Sequence, residues 1–176
     1  MRQFLKRACA AGIVSFLILL AAGGVAFAAK TETATPFTAQ ELDQFLLDVP
    51  QFLKWQAGLN ESLAKNQKLN KEQLEGDLRS RLRLAPERFL YILGRVHEVI
   101  GLTLYQAAYS GKKPAGAAAD IPVADLSKDE REALKKEIQE KLKAIPPAEI
   151  QLIESRLNEI LKSGLGQYLG IGSKMK

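Results

Sequence analysis

The sequence contains a single cysteine and a single histidine among 176 residues, and these low counts exclude several classes of site. Cys9 has no second cysteine with which to form an intrachain disulfide, so no cross-link stabilises the fold. A zinc site of cysteine and histidine ligands is excluded too, because His97 would have to share the metal with carboxylates alone. We therefore predict neither a metal nor a cofactor.

The sequence also has little excess charge of either sign. It contains 25 Lys and Arg against 20 Asp and Glu, and three of the basic residues precede residue 8. The remaining 22 basic and 20 acidic residues do not form the basic footprint of a nucleic-acid-binding protein. The one local cluster, Arg79, Arg81 and Arg83, alternates around a helix and is typical of a solvated surface. No nucleic-acid partner is predicted.

The longest uncharged run lies at the N-terminus. It follows three basic residues and contains a short, strongly apolar core, Ile13–Leu20, of the length expected for a signal-peptide h-region. Small residues come next, and Ala26 and Ala28 before Ala29 match an A-x-A cleavage site. These three features predict a signal peptide over residues 1–28 and a periplasmic or secreted mature chain.

An uncleaved anchor is the alternative interpretation of the same run. Residues 8–29 are long enough to span the hydrocarbon core of a bilayer as a helix. Retention would anchor the protein in the inner membrane, with the rest of the chain on the non-cytoplasmic side. A membrane partner is therefore predicted only if residues 8–29 are retained.

The rest of the sequence predicts an all-α fold, because apolar residues recur at helical spacing and no segment alternates as a strand does. We expect a bundle of five or six helices with a kinked first helix, a buried central helix and a C-terminal αα-hairpin. The predicted segments are a flexible lead over 29–37, a main helical region over 38–110, a Pro/Gly/Ala linker over 111–126, a charged αα-hairpin over 127–163 and a Gly-rich tail over 164–176.

Capping residues and prolines predict where the helices begin and end. Thr38 with Glu41, and Ser127 with Glu130, have the spacing of capping boxes. Pro50 predicts a break or a kink in the first helix, and Pro86 begins the central helix, which extends to Tyr109. After Pro146-Pro147 one further helix is expected to continue to Gly164, which suits a C-cap.

The central helix contains the only candidate ligand site. His97 shares a stripe with Gly94, Gly101 and Tyr105 at spacings of three and four residues. In one interpretation this stripe is a groove that binds a small ligand or responds to pH. In the other, the two glycines allow a neighbouring helix to approach closely and His97 is a hydrogen-bonded structural residue.

No nucleophile has a convincing set of partners, and no catalytic residue is predicted. Ser62 and Lys65 match S-x-x-K, but the companion motifs of serine acyltransferases are missing from the sequence. We therefore expect a non-enzymatic protein-binding or structural module with a protein partner in the cell envelope. The alternatives are an anchored scaffold subunit of an envelope complex, and a small-ligand carrier or enzyme that uses the His97 groove.

Overall fold

A computed structural model describes residues 35–65, 70–109 and 127–168, and every regular element in these ranges is helical. This confirms the all-α prediction, and the helical stretches number six if 157–168 is counted as one. The predicted signal peptide, linker and most of the predicted tail lie outside the described residues. In chain order the elements are α1 (Ala39–Ala64), α2 (Lys71–Arg81), α3 (Pro86–Tyr109), α4 (Lys128–Ala144), α5 (Pro147–Ser155), α6 (Leu157–Ile160), a π-helical turn (Leu161–Leu165) and α7 (Gly166–Tyr168).

The predicted helix starts at Pro86 and at Ser127 with Glu130 are confirmed, and α2 begins with a side-chain cap that was not predicted. The Asn70 side chain accepts a bond from the backbone N–H of Glu72 and so caps α2. Pro86 is the first residue of α3. At α4 the capping box is complete: Glu130 N–H donates to Ser127 Oγ at 3.3 Å, and Ser127 N–H donates to Glu130 Oε2 at 3.0 Å.

Helix α1 continues through Pro50, so of the two outcomes predicted there a break is excluded. Proline in a helix interior removes one backbone hydrogen bond, and a helix of this length can absorb the loss if its apolar face is buried. Val49 and Phe52, on either side of Pro50, are both fully buried. Tertiary burial of α1 therefore overrides the local effect of the proline.

The helix predicted from Pro147 to Gly164 is divided at Arg156, which has φ −109° and ψ 12°. The Arg156 N–H is shared between the carbonyls of Leu152 and Ile153, each at 3.2 Å. The Ser155 hydroxyl donates to the Leu152 carbonyl as well, at 2.9 Å. Such back-bonding from serine competes with the helical ladder and bends helices, which explains the interruption. Gly164 has φ 98°, as expected of the C-cap predicted there.

The chain forms two compact units, and their boundary falls inside α3. Among the described residues, the first unit comprises Thr35 and Ala39–Ile92. The second unit comprises Pro36–Thr38 and the chain from Leu93 onward. An aromatic cluster forms the centre of the first unit: Phe89 lies 4.9 Å from both Phe45 and Phe52, measured between ring centroids. The other buried apolar side chains of this unit are Leu42, Val49, Leu78, Leu84 and Ile92.

The second unit has an aliphatic core with one aromatic side chain, Phe37. The segment predicted to be a flexible lead therefore ends in a residue that is 2% exposed. Within α3 burial is complete at Val96 and Val99, whereas all the described side chains from 101 to 107 are half-buried or exposed. The remaining core residues are Leu93, Ile100, Ile138, Ile145, Ile153, Ile160 and Leu165.

Candidate functional site

The four residues of the predicted ligand site lie on the continuous helix α3, so their spacing places them along one face. His97, Gly101 and Tyr105 are half-buried, and Gly94 is exposed. The face therefore runs from solvent at Gly94 to partial burial farther along the helix.

Close helix packing is not observed at either glycine. A Cβ built at Gly94 or Gly101 would meet no heavy atom within 4 Å in the part of the chain that the structure describes, its own helix backbone aside. The interpretation in which these glycines admit a neighbouring helix is therefore not supported there. The two glycines leave open space beside a half-buried imidazole, and a ligand at that place remains a prediction.

Burial changes the acid–base behaviour of His97. Desolvation lowers the pKa of the imidazole from its ordinary value of 6.5, and the neighbouring charge of Glu98 opposes the shift without cancelling it. The ring is consequently neutral at pH 7. A neutral imidazole offers one N–H donor and one nitrogen acceptor, so it can hydrogen-bond a polar ligand or a protein group without carrying charge.

A buried carboxylate, Glu149, is the most unusual polar group of the second unit. Its side chain is 0% exposed, and Oε1 accepts a hydrogen bond from the backbone N–H of Phe37 at 3.2 Å. Oε2 lies 3.3 Å from Nε of Arg95, whose Nη1 donates to Glu98 at 2.8 Å. The Glu149 carboxylate thus accepts one main-chain hydrogen bond and lies at ion-pair distance from a guanidinium, without a hydrogen bond between Arg95 Nε and Oε2.

Sequence reasoning missed Glu149, although a signal was present. Glu149 stands four residues before Ile153 within α5, so it lies in the same stripe of that helix as this buried apolar residue. A single carboxylate in such a stripe indicates a buried, partnered charge.

A second buried carboxylate, Asp48, organises the first unit. It is 2% exposed, and its Oδ2 accepts hydrogen bonds from the backbone N–H groups of Arg83 and Leu84 at 2.8 and 3.0 Å. These donors lie in the turn between α2 and α3, where the chain has left one helix and has not begun the next. Asp48 therefore satisfies main-chain groups that neither helix can satisfy.

Arg88 makes a further polar contact within the first unit. Its guanidinium binds both carboxylate oxygens of Glu41, with distances of 2.7 Å from Nε and 3.0 Å from Nη2. Nη1 donates to the carbonyl of Thr35 at 2.8 Å, and the guanidinium lies 5.1 Å from the centroid of the Tyr91 ring. The bidentate geometry fixes the start of α1 against α3.

Two features are absent from the described residues 35–65, 70–109 and 127–168. No cluster of three His, Cys, Asp or Glu side chains suited to a metal occurs in these ranges. No helix in them has both the length and the hydropathy required to cross a membrane.

Compared with known proteins, the chain matches no family model, no curated protein and no solved structure.

Proposed function

We propose that the protein is an exported, non-enzymatic module that binds another protein through the charged surface of α4. One observation carries this proposal. Ile138 is the only buried residue among the 17 of α4, and the helix otherwise shows solvent a dense set of charges of both signs. A helix of this length has marginal stability on its own, and the apolar stripe of α4 is narrow. We therefore take the charged side of α4 as a binding surface.

Charges of both signs are mixed around α4, and Lys141 Nζ lies 3.1 Å from Glu137 Oε1. Lys128, Arg131 and Lys135 follow one another at spacings of three and four residues, which forms a basic edge. Glu130, Glu137 and Glu140 are spaced by seven and three residues, which forms an acidic edge. A surface that carries such a mixed charge pattern favours a partner with the complementary pattern.

The start of α4 is well fixed, which suits a surface used for recognition. The Ser127 hydroxyl donates to Glu130 Oε2 at 2.7 Å, and this bond lowers the pKa of the Glu130 carboxyl. Glu130 is therefore ionised throughout the physiological pH range.

The alternative proposals concern attachment and ligand. If residues 8–29 are retained, the same module becomes an anchored scaffold subunit of an envelope complex. A small-ligand carrier or an enzyme would instead use the half-buried His97 beside the open faces of Gly94 and Gly101, the observation that favours this proposal.

Site-specific photo-crosslinking in intact cells tests the proposal. A photoreactive side chain at Lys135, on α4, should give adducts of one defined mass, whereas the same side chain at Asn60, exposed on α1, should not. The double reversal of Arg131→Glu and Lys135→Glu should abolish capture by a probe at Lys136. The matched control is Lys54→Glu, a charge reversal at an exposed position of α1, which should leave capture unchanged.

Two results would contradict the proposal. Equal adducts from Asn60 would mean that α4 is not the contact surface. Capture that survives charge reversal on α4 but is lost in His97→Ala would favour the His97 groove.

A further inference from the structure

The segment Pro36–Thr38 lies outside every helix, and its contacts assign it to the second unit. Within it only Phe37 is buried, with 2% of its surface exposed, while Pro36 and Thr38 are exposed. The residues on both sides of the segment group with the first unit. Phe37 is therefore the one side chain of this stretch of irregular backbone that is buried in the second unit.

The polar contact at this place has the chemistry of peptide recognition. Phe37 N–H donates to Oε1 of Glu149, and the other carboxylate oxygen lies 3.3 Å from Arg95 Nε. Extended peptides are bound through hydrogen bonds to their main chain and through pockets for their side chains. The Glu149 acceptor and the buried position of the Phe37 ring provide one feature of each kind. The acceptor does not require that the peptide come from the same chain.

The anchoring of the segment is small enough to open without global unfolding. Phe37 is the one buried side chain of the segment, its backbone N–H donates to Glu149, and Pro36 and Thr38 on either side are exposed. Segments with few buried apolar groups open at the low end of a protein's range of local stabilities. Release of Pro36–Thr38 would uncover both the carboxylate and the place of the phenyl ring.

We propose that Phe37 occupies, in cis, a peptide-binding site of the second unit, and that an extended partner segment with a large apolar side chain and a free backbone N–H replaces it. The inference rests on the proposed function of protein binding and names a second contact surface, distinct from α4. The partner is characterised by the chemistry of the present occupant: an extended backbone that donates to Glu149 and one bulky apolar residue.

A peptide added in trans tests this site. The probe is the labelled hexapeptide of residues 35–40, TPFTAQ, and its binding to the full chain is followed by fluorescence anisotropy. Phe37→Ala should bind the peptide at least about tenfold more tightly than the wild type does, because the cis competitor no longer fills the site. A folded Phe37→Ala protein that does not bind the peptide overturns the proposal.

Control peptides and a second variant separate the two parts of the site. A peptide with alanine in place of phenylalanine, and one with an N-methylated phenylalanine that lacks the N–H donor, should each bind at least about tenfold more weakly. Phe37→Ala combined with Glu149→Leu should lose the preference for the unmethylated peptide. If the wild type instead forms a dimer that Phe37→Ala lacks, the occupant is the Phe37 of a second copy and the partner proposal is wrong.

Hydrogen exchange on the wild type decides the matter if Phe37→Ala does not fold. The Phe37 amide should exchange faster than that of buried Ile153 and with a weaker dependence on denaturant, as local opening requires. Identical exchange of the two amides would mean that Phe37 leaves only on global unfolding, which overturns the proposal. The α4 crosslinks do not depend on Phe37, so this failure and failure of the proposed function are distinguishable.

Discussion

At the scale of single residues, Asp48 and Glu149 show how this fold uses buried charge. Each carboxylate accepts main-chain N–H groups that no helix satisfies: Asp48 binds Arg83 and Leu84, and Glu149 binds Phe37. Hydrogen bonds between an ionised group and backbone donors are stronger than neutral ones, which offsets part of the cost of burial. Both residues therefore fix irregular backbone next to a helix.

Replacement of Asp48 should destabilise the protein more than replacement of an exposed aspartate on the same helix. Asp48→Ala leaves two N–H groups without their acceptor and should lower the free energy of unfolding by about 3 kcal/mol. Asp43→Ala, at an exposed position of α1, is the matched control and should cost about 0.5 kcal/mol or less. Urea denaturation of both variants measures the difference. Equal losses in the free energy of unfolding would show that the Asp48 hydrogen bonds do not contribute to stability.

The free energy of unfolding should fall in mild acid because of His97. Burial lowers the pKa of His97 in the folded protein below 6.5, so between the two values the unfolded chain binds more protons. Stability from this residue is therefore full above about pH 6.5 and is lost as the pH falls toward the folded pKa. His97→Gln should remove that part of the pH dependence.

Urea denaturation of the wild type and His97→Gln between pH 5 and 8 measures the effect. The free energy of unfolding of the wild type minus that of His97→Gln should decrease as the pH falls from 7 to 5. Parallel stability curves of the two proteins over the whole range would show that His97 has the same pKa in the folded and the unfolded state.

At the scale of helices, the sequence predicted what local chemistry determines. The Ser127 box, the start at Pro86 and the turn at Gly164 all depend on residues within one turn of the helix end. The continuity of α1 through Pro50 depends instead on the burial of its apolar face, which no local pattern reveals. The interruption at Arg156 arises from a serine hydroxyl that competes for a backbone carbonyl, a tendency too weak to predict from serine alone.

Two glycines should respond to alanine with opposite signs. Gly164 has φ 98°, where a Cβ is strained, so Gly164→Ala should destabilise the protein by about 1–2 kcal/mol. Gly94 is exposed inside α3 with open space around its Cα, so Gly94→Ala should stabilise it by about 0.5–1 kcal/mol. Thermal unfolding of the two variants checks the signs. A destabilising Gly94→Ala would mean that something packs against this face.

At the scale of the whole molecule, the grouping of the helices could not be predicted from segment boundaries. The sequence suggested a main region over 38–110 and a separate hairpin over 127–163, whereas the structure divides α3 between Ile92 and Leu93. Periodicity identifies α3 as one helix but does not say which core each turn joins. The same limit applies to the candidate site: the stripe of His97 was visible in the sequence, whereas the pairing of Glu149 with Phe37 joins residues 112 positions apart.

The intact mass of the protein from fractionated cells should correspond to a chain that begins at Ala29. Ala26 and Ala28 provide the small residues that cleavage requires, and the product should be recovered in the soluble envelope fraction. Ala28→Asp, which places a charge at the cut, should block processing, and Ala22→Ser serves as a conservative control. A full-length product in the membrane fraction would favour the anchored alternative.

The contact between Phe37 and Glu149 has a consequence for the time at which the second unit can form. Because the two residues are 112 positions apart, a chain synthesised from its N-terminus cannot close this contact until most of it has left the ribosome. Closing so long a loop is also entropically costly and slow compared with forming any single helix. Phe37 thus remains without this partner during synthesis, so an export machinery of the kind that the predicted signal peptide implies would meet the chain before the contact has closed.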